Sequence, residues 1–174
     1  VSALESARAV ERDFVERAMA SEKAPKGWPA ALVMFHVAMW RERMRACLLT
    51  TSEGGAYELP GERDEINDAE LAAGIGTPLA DAAARSSQLL SEIIGLLPKV
   101  GERQVNWFAE RSAADAVLRN SYAHPRRHIC DYLIENGDRE GARKLIDDGL
   151  RELDELAAPD YVTSLLTELR ESGL

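Results

Sequence analysis

Stretches of helical periodicity, each cut off by proline or glycine and none giving way to a run of alternating apolar and polar residues, restrict this chain to an all-α fold. In Val1 to Ala20 the apolar Val10, Phe14, Val15 and Ala18 recur among charges, which predicts an amphipathic first helix. Pro25, Lys26 and Gly27 form a breaker cluster. Pro29 suits the first turn of a second helix, where its missing N–H costs nothing, and that helix is predicted to reach Leu49. Thr50 to Glu65, with Gly54, Gly55, Pro60 and Gly61, reads as the longest loop, and loops of that length in compact domains are more often functional than idle. Ile66 to Ala73 is predicted as a short helix. Thr77-Pro78 caps and opens a third long helix that ends near Leu97, before Pro98 and Gly101. Gln104 to Glu110 reads as a connector, with no sheet. A fourth helix covers Ser112 to Glu135 and stops at Asn136-Gly137. Asp138 caps a fifth, Arg139 to Leu156, and Pro159-Asp160 opens a sixth, to Arg170.

The length of 174 residues, 45% of them hydrophobic, suffices for one core with a helical appendage. A formal charge of −9 disfavours nucleic acid and anionic membranes as partners, because both require basic patches. No window approaches the length of an uninterrupted apolar membrane span, and Val1 to Glu11 lacks the pattern of a signal peptide. Two cysteines, Cys47 and Cys130, stand far apart in the chain, so a reduced, cytoplasmic protein is the expectation.

Only three histidines occur, and His124 and His128 are four residues apart, on one face of a helix. The third, His36, lies in the apolar stretch Phe35-His36-Val-Ala-Met-Trp40-Arg-Glu42. A lone histidine on an apolar face is more often a hydrogen-bonded core residue than a ligand, whereas a His-x-x-x-His pair is more suggestive. Zinc, nickel and iron accept neutral imidazole nitrogen, and three protein ligands leave a position open for water or substrate. Cys47 lies roughly 16 Å along the helix from His36, too far to join it, and both cysteines read as buried small hydrophobes. Pro125 follows His124 directly. It removes the N–H that would bond the Ser121 carbonyl, so the helix is expected to kink or restart there. Asn120, Asp131, Tyr132 and Glu42 are candidate partners for the outer imidazole nitrogens.

Trp28-Pro-Ala-Ala-Leu-Val-Met-Phe-His36-Val-Ala-Met-Trp40-Arg-Glu42 resembles the second helix of DinB-like metal-binding four-helix bundles. Asn120-Ser-Tyr122-Ala-His124-Pro-Arg-Arg-His128 resembles their fourth-helix segment and is most similar to the DfsB/ClbS-like branch. The resemblance covers about residues 1–136. It implies an up-down-down-up four-helix bundle, frequent homodimers, and a divalent metal (zinc or nickel first, iron or manganese next) on His36, His124 and His128. It also implies either a metal-dependent hydrolase or a thiol-dependent transferase acting on a small molecule. Pro125 departs from that pattern. Residues 137–174 lie outside the resemblance and read as a helical hairpin that must bury its apolar face on the bundle or on another subunit. Asp147, Asp148, Glu152, Asp154 and Glu155 read as a solvated acidic face. Two other classes stay open: a stress or small-molecule-binding protein without turnover, and a helical interaction module. No phosphate-binding glycine loop, dinucleotide fingerprint or nucleophile elbow is present.

Overall fold

A computed structural model describes residues 1–21 and 23–172. The chain is mostly helical: α1 (Ser2–Ala20), α2 (Ala30–Ser52), α3 (Arg63–Gly74), α4 (Leu79–Val100), α5 (Ala113–Leu118), a π-helical turn (Arg119–Ala123), α6 (His124–Glu135), α7 (Arg139–Glu155) and α8 (Asp160–Glu171). Among the described residues no helix is long and apolar enough to cross a membrane. α1 buries Ala3, Leu4, Ala7, Glu11 and Phe14, one stripe at helical spacing. α2 is buried on nearly all sides, from Val33 through Trp40 to Leu48, which makes it the central helix. It packs along its length against α4 and more locally against α3, α6 and the π-helical turn.

Three local departures from the sequence reading have physical reasons. α4 continues through Pro98 to Val100 and ends at Gly101, whose φ of +63° with ψ of −134° is a combination that favours glycine. A proline this close to a helix end disturbs only the last turn. Gln104–Asn106 (β1) and Glu110–Ser112 (β2) pair antiparallel, Asn106 opposite Glu110 and Gln104 opposite Ser112, where a plain connector was expected. Strands of three residues are too short to show alternation against their surroundings. The segment from Ala113 to Glu135 is helical throughout, with the irregularity at Pro125 absorbed as a π turn. In that turn the His124 N–H donates to the Arg119 carbonyl, five residues back.

The Ser121 carbonyl, which Pro125 cannot serve, accepts a hydrogen bond from Arg41 Nη2 at 3.0 Å. Arg41 is fully buried on α2. Its guanidinium also binds Glu11 through two bonds of 2.7 and 2.6 Å and Ser86 Oγ at 2.7 Å. One cation therefore ties α1, α2, α4 and the π turn together, in the bidentate geometry that best compensates a buried charge.

α7 begins at Asp138, whose side chain accepts from the Gly141 N–H at 2.9 Å. With α8 it packs on α6, α5 and the π turn. Ile146, Leu153, Val162 and Leu166 share one buried cluster with Met44, Leu90 and Tyr122, so the hairpin and the helices before it form a continuous core. The Tyr122 hydroxyl donates to the Gly149 carbonyl at 3.2 Å, and Arg126 stacks on the Tyr122 ring at 3.6 Å.

Candidate metal centre

His36 projects from the buried face of α2, and His124 and His128 project from successive turns of α6. The three rings converge. His124 Nε2 lies 3.1 Å from His36 Nε2 and 3.1 Å from His128 Nε2, and the three ligand atoms fall within 4.8 Å of one another. A tetrahedral ion with bonds of ~2.0–2.1 Å holds its nitrogens ~3.3 Å apart. The two 3.1 Å pairs fall within a few tenths of an ångström of that spacing, and the remaining pair, His36 and His128, stays within 4.8 Å, so side-chain adjustment alone can close the three nitrogens into a coordination face. The donor set suits zinc, nickel or iron better than the oxygen-seeking calcium or magnesium.

Burial sets the charge of the cluster. It lowers His36 to about 3, with a further contribution from neighbouring His128. It lowers His128 to about 4, with Asp131 opposing the shift and Arg127 adding to it. His124 is pushed well below its ordinary value, first by burial and then by His128 and His36. All three imidazoles are neutral at pH 7 and ready to act as ligands.

Trp28 completes the wall around the triad. Its ring stacks on His128 at 5.6 Å and meets His36 edge-on at 5.3 Å. The segment carrying it is tethered to the end of α6, where the Lys26 N–H donates to Asn136 Oδ1 at 2.9 Å. Trp28 stood in the sequence motif, but nothing in its spacing announced a contact with the histidines.

The outer nitrogens are less well served than expected. Of the four partners predicted from sequence, only Asp131 faces a histidine, with Oδ2 4.0 Å from His128 Nδ1, and it also pairs with Arg127. Asn120 instead donates to the Trp40 carbonyl and accepts from Ser121 Oγ. Glu42 pairs with Arg85 at 2.9 Å, and Tyr132 packs edge-on against Phe14. Among the described residues, His36 Nδ1 and His124 Nδ1 are buried without a hydrogen-bond partner. These two imidazoles are held through their Nε2 contacts with the neighbouring rings and, for His36, by packing against Trp28.

A cavity of about 780 Å³ opens on all three histidines. Its lining includes Glu62, just before α3, Asp64 and Asp68 on α3, Arg119 and Arg127, and Phe108 at the hairpin tip. A second cavity, of about 460 Å³, shares Trp28, His128 and Asp131 with the first. The predicted long loop is thus shorter than the sequence suggested, because α3 begins at Arg63, and its far end contributes to the wall of the larger cavity. Comparison of the chain with protein-family models, curated proteins and solved structures found no match.

Proposed function

We propose that His36, His124 and His128 bind one divalent metal ion, zinc or nickel ahead of iron or manganese, and that the protein is a metal-dependent hydrolase or thiol-dependent transferase acting on a small organic molecule. The observation that carries this reading is the convergence of three neutral imidazoles, 3.1 Å apart in two pairs, at the floor of a cavity large enough for such a molecule. A divalent ion held there supplies Lewis-acid chemistry. The chain's own groups do the rest. Trp28 covers one side of the triad and excludes water from it. The Asp131 carboxylate, beside His128 and on the cavity wall, is placed to accept or return a proton. Arg119 and Arg127 offer cationic surface to an anionic part of the substrate.

The order of the histidines along a helical chain supports a DinB-like assignment, with the bundle formed by α1, α2, α4 and the α5–α6 segment. A homodimer, frequent in that superfamily, belongs to the proposal, and sedimentation as a monomer at micromolar concentration would remove it. One observation favours a second reading, a small-molecule-binding protein without turnover. The unpartnered Nδ1 atoms of His36 and His124 leave out the hydrogen bonds that usually raise ligand basicity. Metal titration of untagged protein, followed by a screen for metal-dependent ester, amide and thiol-transfer turnover, separates the two. Stoichiometric metal with no turnover across those classes would favour the second.

A further inference from the structure

Phe108 sits in the three-residue connection Trp107–Ala109, between the paired residues Asn106 and Glu110 of the hairpin. Its φ is +58°, a region that bulky L-residues avoid and that glycine enters freely. Glycine would close such a turn without strain. Packing does not call for the ring either. Val105 and Trp107, 1% and 2% exposed, are the side chains the hairpin buries, whereas Phe108 is 51% exposed. The Phe108 ring nevertheless lies 5.7 Å from that of Trp40 and 5.5 Å from that of Trp107, on the wall of the cavity that opens on the histidines. Strain retained where a side chain faces a cavity indicates a task for that side chain in the cavity.

We infer that Phe108 is a specificity-determining residue, which stacks against the planar apolar end of an organic ligand whose polar end reaches His36, His124 and His128. This rests on the triad being a metal-binding, small-molecule site. Trp40 follows His36 by one turn on the same face of α2. Phe108, in ring contact with Trp40, therefore stands no further than on the order of 10 Å from His36. A ligand that bridges the two has a ring and a metal-seeking group separated by roughly four atoms. The occupant is thus an arylalkyl compound rather than a small hydrophilic one.

Hydroxamates, which chelate zinc, test this on the full chain loaded with zinc. Acetohydroxamate probes the metal end alone and phenylbutyrohydroxamate probes both ends. In calorimetry the phenyl compound is expected to bind about tenfold tighter. F108A is expected to reduce that preference by about fivefold, and F108W to restore it. F108G guards against a folding artefact, since it should lose the preference without lowering the melting temperature. An unchanged preference in F108A, or equal affinities for the two compounds in the parent, overturns the inference even though the metal site stands. Failure of the metal reading shows separately, as no binding of either zinc or acetohydroxamate. In that case saturation transfer from zinc-free protein to phenylbutyramide decides. A signal lost in F108A supports the role of the ring, and no signal in the parent overturns it.

Discussion

Replacing Arg41 by methionine removes the one cation shared by Glu11, Ser86 and the Ser121 carbonyl. The Glu11 carboxylate is left buried, at 5% exposure, without its counter-charge. Breaking a buried pair from one side costs about 3–5 kcal/mol. The Ser121 carbonyl, already deprived of a helical donor by Pro125, adds about 1–3 kcal/mol if it stays unsatisfied. The two losses overlap, because the same opening that lets water reach Glu11 also wets Ser121. We therefore expect about 4 kcal/mol in total, a large share of the ~5–15 kcal/mol that holds a domain together. The double variant E11L/R41M removes the orphaned charge and should recover about 2 kcal/mol of the loss, since apolar replacements of buried pairs are tolerated far better than half-pairs. Urea unfolding followed by far-ultraviolet circular dichroism measures both. The single variant should also weaken metal binding, because Ser121 lies just before His124 in the π turn. A loss below about 1 kcal/mol in R41M, or a double variant no better than the single, would refute the view that this pair anchors the turn.

Each of H36A, H124A and H128A should abolish most of the zinc-dependent rise in melting temperature, which in the parent corresponds to about 2.7 kcal/mol at a free zinc concentration a hundred times Kd; retention of the rise in any one of them would exclude that residue as a ligand. The metal-free protein should lose stability as pH falls from about 6.5, where unfolded histidine begins to protonate, towards the folded values of about 4 for His128 and about 3 for His36. The unfolded chain binds more protons over that window, so the slope is positive with pH and amounts to about 1.4 kcal/mol per pH unit for each histidine. H36A should flatten it, and a parent protein whose stability is level between these limits would show that the imidazoles are not desolvated.

The long helices were legible because their signals are local. The stripe of α1, the proline before α2, the Thr77-Pro78 start and the Asn136-Gly137 stop each state a boundary within a few residues. The histidine cluster was legible for the same reason in part: His124 and His128 are neighbours on one helix. The placement of His36 opposite them required two helices to face each other, and spacing alone could not supply that. The π turn left a partial trace, since Pro125 announced an irregularity without revealing its form. The Arg41–Glu11 pair joins residues on different helices and had one readable sign, a charged residue in the apolar run of α2. Of the predicted partners of the outer nitrogens, Asp131 faces His128, whereas Asn120, Glu42 and Tyr132 make their contacts elsewhere, because proximity in sequence is not proximity in space. Tyr132 follows His128 by one turn, yet its ring turns away to Phe14. The β-hairpin, and Phe108 with it, fell below the length at which a strand shows its period.

The most direct test of the central claim is the zinc stoichiometry of protein purified without a histidine tag, measured by plasma emission spectrometry after dialysis against limiting zinc, beside the triple variant H36A/H124A/H128A. One equivalent per chain in the parent and none in the variant is the expected result. A parent that retains no zinc, nickel, iron or manganese above the level of the variant would contradict the account.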